Sequence, residues 1–148
     1  MSMKVMQTWF RRLAALFFGG VFVYAGVLKL RDPLLFQKDI ESFDLLGDPW
    51  TAMIADFLPW MELLAGLAVI TGLRRSGGLL LLNLSLVVFL GAVGSAWQRG
   101  LNIDCGCFGG AAVTPGYLEL CIRDGLLLAL GLALQWKETQ ASRTPISP

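Results

Sequence analysis

The chain has 148 residues, 55% hydrophobic and only 16% charged, with a net charge of +1 and a mean hydropathy of +0.64. A soluble domain of this size lacks the polar surface to cover so much apolar side chain, and disordered chains are poor in apolar residues, so both classes are excluded and lipid is the expected solvent. With no histidine there is no imidazole base, no Ser-His or Cys-His pair and no His-held zinc or haem, and with no basic run nothing points to nucleic acid; chemistry falls to cysteine, carboxylate, amine or a bound cofactor.

A hydrocarbon core of about 30 Å takes about 20 apolar residues of helix. Four runs of that kind predict spans at about 13–30, 52–73, 77–97 and 117–136. Arg11 and Arg12 precede the first, but its length and the following Lys29, Arg31 and Asp32 argue for a retained anchor rather than a cleaved signal. Residues 31–51 carry two Asp-Pro steps and alternating apolar residues (Leu34, Leu35, Phe36, Ile40, Phe43, Leu45, Leu46), a pattern that predicts a short amphipathic helix on the outer surface. Pro59 is expected to bend the second span, and Gly19, Gly26, Gly66 and Gly131 among others to let helices approach closely. Residues 138–148 read as a polar, disordered tail. The expected fold is all-α: an integral membrane four-helix bundle over residues 1–137.

Orientation follows from the flanks, because Lys and Arg favour cytoplasmic segments. Lys4, Arg11, Arg12, Arg74, Arg75, Lys137 and Arg143 gather on one side, whereas Asp32, Asp39, Glu41, Asp44, Asp48 and Asp104 occupy the other loops. Both termini are therefore expected in the cytoplasm of a bacterial inner membrane. Trp9, Trp50, Trp97 and Trp136 fall at span ends, as interfacial anchors do.

All three cysteines lie toward the outer face. Cys105 and Cys107 stand in Asp104-Cys105-Gly106-Cys107-Phe108-Gly109 between the third and fourth spans, and Cys121 lies about 22 Å along the fourth span from Trp136 at 1.5 Å per residue. Thiol exchange needs direct attack of sulfur on sulfur. With no thiol on the inner half, a cycling Cys105–Cys107 pair must find its second electron partner from the outer half of the bilayer, and a membrane quinone fits best. A Cys-x-Cys bridge is geometrically demanding, and Gly106 is the residue best able to bend there. Two other readings stay open: a structural disulfide in a non-catalytic docking subunit, and a Cu(I) site built from the three thiolates. Cys121 is read as structural, and no metal is expected.

Ionisable groups inside a membrane are costly. Lys29, Glu62, Arg123 and Asp124 qualify. Counting rises from the cytoplasmic ends puts Glu62 at about 16 Å, Asp124 at about 18 Å, Arg123 at about 20 Å and Lys29 at about 24 Å, so Glu62 is expected to meet Arg123 across a helix interface. Glu119, four residues before Arg123, is a second candidate partner. One reading is a neutralised cluster that fixes helix packing. The other is a polar floor beneath the cysteine loop, where Arg123 or Lys29 donates to a quinone carbonyl or stabilises a thiolate, Glu62 or Asp124 handles protons, and Phe57, Trp60, Phe108 and Tyr117 form an aromatic wall.

Four segments in order carry a family resemblance: Ala-Gly-Val-Leu-Lys-Leu-Arg-Asp-Pro at 25–33, Leu-Pro-Trp-Met-Glu-Leu-Leu-Ala-Gly at 58–66, Asp-Cys-Gly-Cys-Phe-Gly at 104–109 and Ile-Arg-Asp-Gly-Leu-Leu-Leu at 122–128. The sequence resembles the MauE branch of the DoxX-like membrane proteins. That resemblance implies a four-helix membrane protein working with a thioredoxin-like partner outside the cytoplasm, in disulfide formation during maturation of methylamine dehydrogenase. It implies Cys105 and Cys107 as the redox pair, Glu62 as the intramembrane carboxylate, and Lys29, Arg123 and Asp124 as the other motif charges. The architecture is also similar to vitamin K epoxide reductases and bacterial disulfide-generating quinone reductases. Those carry Cys-x-x-Cys and usually a second cysteine pair, which residues 31–51 lack.

Overall fold

The computed structural model describes residues 2–101 and 116–143, and among them helices are the only regular elements. Their order is α1 (Met3–Arg31), α2 (Pro33–Ser42), α3 (Trp50–Thr71), α4 (Arg75–Gln98) and α5 (Tyr117–Arg143). Among the described residues, three helices (α1, α3 and α4) are long and apolar enough to cross a membrane. The fourth expected span, α5, does not reach that standard, because Glu119, Arg123 and Asp124 fall within its first two turns and Lys137 and Glu138 follow. Only 33–39% of the apolar stretches of the three spans is buried inside the protein. Leu13, Phe17, Leu64, Leu80, Val88 and Leu126 all face outward, an apolar exterior far beyond what a water-soluble monomer displays.

Helix α1 starts ten residues before the expected span. It ends where Pro33 cannot continue it: Asp32 leaves helical geometry, and its side chain accepts the Leu35 N–H at 3.0 Å, capping α2 with Pro33 in the first turn. Helix α2 packs on α3 and α1. Residues 36, 39, 40 and 43 recur at helical spacing along it, and Phe36, Asp39 and Phe43 are buried.

Helices α1 and α3 meet backbone to backbone. A methyl group on Gly19 would lie 2.8 Å from Gly66 O, one on Gly66 would lie 2.9 Å from Gly19 O, and one on Gly26 would lie 2.9 Å from Pro59 O. Helix α3 stops at Gly72 (φ 80°), whose N–H returns to Ala68 O, and the chain turns into α4 so tightly that Gly78 faces Ala65 O. Helix α5 runs along α4 and touches α1, with Gly131 pressed on Asn83 and Phe18. Phe18, Phe22, Val69, Leu79, Leu82 and Leu134 fill the space between these helices.

The start of α1, the α3–α4 turn and the end of α5 gather at one end. There Glu138 accepts a hydrogen bond from Arg75 at 3.4 Å and lies 4.0 Å from Arg11. Helix α5 consequently continues seven residues past the expected fourth span, through the segment read as a disordered tail up to residue 143, aided by Thr139 and Ser142 hydroxyls bonded back to backbone carbonyls. Trp9 and Trp136 stand exposed at this basic end, and Trp50 and Trp97 at the opposite, α2 end.

Candidate functional site

A cavity of about 380 Å³ lies at the α2 end, within the size range of small-molecule sites. Helix α1 gives it Phe22, Ala25 and Lys29, α2 gives Phe36, Asp39 and Ile40, and the residue that caps α2 gives Phe43. Helix α3 adds Leu58, Met61 and Glu62, α4 adds Leu84, Ser85 and Phe89, and α5 adds Arg123, Asp124 and Leu127. The wall is apolar apart from Ser85 and five ionisable groups: two cations against three carboxylates.

All four charged residues expected to cluster therefore line one chamber. Their pairing differs from expectation. Glu62 does not meet Arg123 as its ion-pair partner: Lys29 Nζ donates to Glu62 Oε1 and Oε2 at 2.9 and 2.7 Å, with the two side chains only 6% and 5% exposed. Axial counting separated these residues by about 8 Å, but it ignored the lean of side chains toward the N-terminus of their own helix. Helices α1 and α3 run in opposite directions, as the Gly19–Gly66 and Gly26–Pro59 contacts show, so Lys29 and Glu62 lean toward each other and close the gap. The Phe36 ring lies 4.9 Å from Lys29 Nζ, a cation–π contact that ties α2 to the pair. Arg123 pairs with its neighbour Asp124, Nε to Oδ1 at 3.0 Å and Nη2 to Oδ2 at 3.4 Å, rather than with Glu119, which faces outward.

Among the described residues, the rings that line the cavity differ from those expected. Phe57 and Trp60 are 69% and 55% exposed and do not line the cavity, since the buried face of α3 is set by Ala55, Pro59, Glu62, Ala65, Gly66 and Val69. Tyr117 stacks on Trp97 at 6.4 Å and packs near Phe43, also off the cavity. Phe22, Phe36, Phe43 and Phe89 supply the ring surface instead, with Phe43 and Phe89 edge to face. The signal for Phe36, Phe43 and Asp39 was the spacing of residues 36, 39, 40 and 43 on one helical face, with an acid inside an otherwise apolar stripe.

Cys105, Cys107 and Phe108 lie outside the described residues. The points where the chain leaves and re-enters the described structure are anchored together: Leu101 and Tyr117 pack against the same cluster of Phe43, Val93, Ala96 and Leu120. Cys121 is partly buried against that cluster. Arg99, which caps the end of α4, donates to Phe43 O and to Asp44 O, the latter at 3.0 Å, and so holds the end of α2 over the cavity. Among the described residues no group of three or more acids or cysteines is arranged to hold a metal ion.

The chamber can thus hold a polar group among Lys29, Glu62, Arg123 and Asp124 while ring surface from α1, α2 and α4 packs on it. Its carboxylates can carry protons in a site shielded from bulk water. Residues 7–137 match the protein family described as methylamine utilisation protein MauE. The chain is also 32% identical over 131 residues to the methylamine utilization protein MauE of Paracoccus denitrificans, covering 87% of this chain and 68% of that protein. No solved structure matches it. The matched stretch includes the Lys29–Glu62 pair, the Arg123–Asp124 pair and every residue that lines the cavity, and the chain belongs to the MauE family.

Proposed function

We propose that the protein is a multi-pass membrane thiol:disulfide redox protein of the bacterial inner membrane, serving protein maturation in methylamine utilisation. Cys105 and Cys107 exchange with a thioredoxin-like partner outside the cytoplasm, and electrons pass to a membrane quinone in the α2-end cavity. The observation that carries this reading is the convergence of Lys29, Glu62, Arg123 and Asp124 with four phenylalanines in one apolar chamber, next to the shared anchor of Leu101 and Tyr117 from which the cysteine segment departs.

In the cycle, the reduced partner's two thiols become a disulfide while the Cys105–Cys107 disulfide becomes two thiols. Re-oxidation of those thiols releases two electrons and two protons, which a quinone substrate accepts to become the quinol. The chain's own residues do the rest. Lys29 and Arg123 offer N–H donors toward a carbonyl oxygen, Glu62 and Asp124 relay protons, and the phenylalanine walls exclude water from the exchange. A cysteine loop on the periplasmic or outer side accords with the basic residues that gather at the opposite end, and electron flow from thiol to quinone accords with the position of all three cysteines in sequence away from that end.

The test is a thiol titration by mass of the detergent-purified chain as isolated, after mild reduction, and after a soluble quinone is added to the reduced form. Re-formation of the Cys105–Cys107 bridge faster with quinone than with air supports the reading. A bridge that resists mild reduction makes the pair a structural clasp, and one that is reduced but ignores quinone belongs to a partner-driven exchange and removes the quinone site.

A further inference from the structure

We infer that the quinone reaches the cavity sideways from the bilayer, through a slot between α3 and α4 that holds its aliphatic tail. This deepens the redox reading above and rests on it. Helices α3 and α4 are pinned together near their connecting turn, where a methyl group on Gly78 would lie 2.8 Å from Ala65 O. Toward the α2 end, two aliphatic stripes from these helices line the cavity: Ile54, Leu58 and Met61 on α3, and Leu81, Leu84 and Val88 on α4. Each set recurs at the three- and four-residue spacing of a single helical face.

The α4 stripe is unusual for a cavity wall, because Leu81, Leu84 and Val88 are 44%, 57% and 66% exposed while also lining the chamber. The cavity therefore reaches the outer surface between these helices, on a belt that faces hydrocarbon. Helices α1 and α3 meet tightly at Gly26, Arg99 ties down the end of α2, and the exposed Leu45 and Leu46 carry the same aliphatic lining on past α2. Of the charged lining groups, Lys29, Asp39, Glu62 and Asp124 are buried and Arg123 is partly exposed, whereas none of the six stripe residues carries a charged or hydrogen-bonding side chain. A ligand that fills both parts has a polar head and an aliphatic tail. A water-soluble acceptor would leave the slot to lipid.

The experiment uses the full chain in detergent and a benzoquinone that carries a photoactivatable diazirine on a prenyl tail. Adducts concentrated on the two stripes, and competed by unlabelled prenylated quinone but not by phospholipid, are expected. Adducts spread equally over outward-facing residues such as Phe17, Leu64 and Leu126 would overturn the slot. If reduced protein still converts a tail-less quinone to quinol in that case, only the slot fails and the redox reading stands. If a prenyl alcohol without the quinone head competes as well as the quinone, the commitment to a quinone fails with the redox reading. As a second measure, Leu84→Trp should lower the ratio of kcat/KM for tailed over tail-less quinone about tenfold, and an unchanged ratio contradicts the slot.

Discussion

Lys29 on α1 donates to both carboxylate oxygens of Glu62 on α3, so two charges almost wholly out of contact with solvent neutralise each other at the wall of the cavity. Lys29 and Glu62 each stand about one turn from the point where Gly26 meets the carbonyl of Pro59, on opposite sides of it because the helices are antiparallel, so the ion pair spans the close backbone approach and belongs to the same joint. Removing one partner leaves a buried charge, which costs about 3–5 kcal/mol, whereas replacing both with apolar residues of like volume is often neutral. Lys29→Met and Glu62→Leu are therefore each expected to lower the detergent melting temperature, and the double variant to recover most of the loss. Additive losses in the double variant would contradict a mutually neutralising pair.

The glycines of the α1–α3 joint should behave differently from those on the outside. Gly66→Val must displace the Gly19 carbonyl and Val23, and is expected to cost on the order of 1–3 kcal/mol. Gly91, with nothing near the position of an added methyl group, should accept Ala with a change within about 0.5 kcal/mol. Thermal unfolding of the two variants in the same detergent checks the contrast.

Much of this joint was legible in the sequence, since glycines and intramembrane charges are both conspicuous in an apolar chain. Lys29, Glu62, Arg123 and Asp124 were expected to form one polar cluster and do line one cavity. Their partners were not legible, because counting along helix axes measures Cα height and omits the lean of long side chains. Phe57 and Trp60 were expected in the aromatic wall around Glu62, yet at 3.6 residues per turn they stand about 140° and 160° around the helix from it. Helical phase held the answer. Asp39, Phe36 and Phe43 carried a signal too, but an amphipathic helix beside a membrane reads equally as lying on lipid or roofing a chamber, and only packing against α1 and α3 decides.

Arg99 joins the end of α4 to the end of α2 through the carbonyls of Phe43 and Asp44. Arg99→Ala should raise amide hydrogen exchange across residues 33–46 while leaving that of α3 unchanged. Lys should not rescue it, because a single ammonium cannot reproduce the planar fork of a guanidinium on two acceptors. Unaltered exchange over α2 would remove Arg99 as the element that holds the roof.

Asn83 is buried among apolar residues, and neither atom of its amide has a hydrogen-bond partner. A methyl group on Gly131 would collide with that amide and lie 2.7 Å from the Phe18 ring. Gly131→Ala is thus expected to destabilise the α4–α5 contact by about 1–3 kcal/mol. Adding Asn83→Ala should relieve part of the collision, which a double-mutant cycle of melting temperatures would measure.

On the proposed route, the electrons of Cys105 and Cys107 leave through the chamber around Lys29 and Glu62. The most direct measurement is the single-turnover rate at which quinone oxidises the reduced cysteine pair, in the wild type and in Glu62→Gln, with equal membrane insertion confirmed for both. Loss of a proton-relaying carboxylate should slow this step by roughly a hundredfold or more. An unchanged rate would contradict that route and place the re-oxidation of the pair elsewhere.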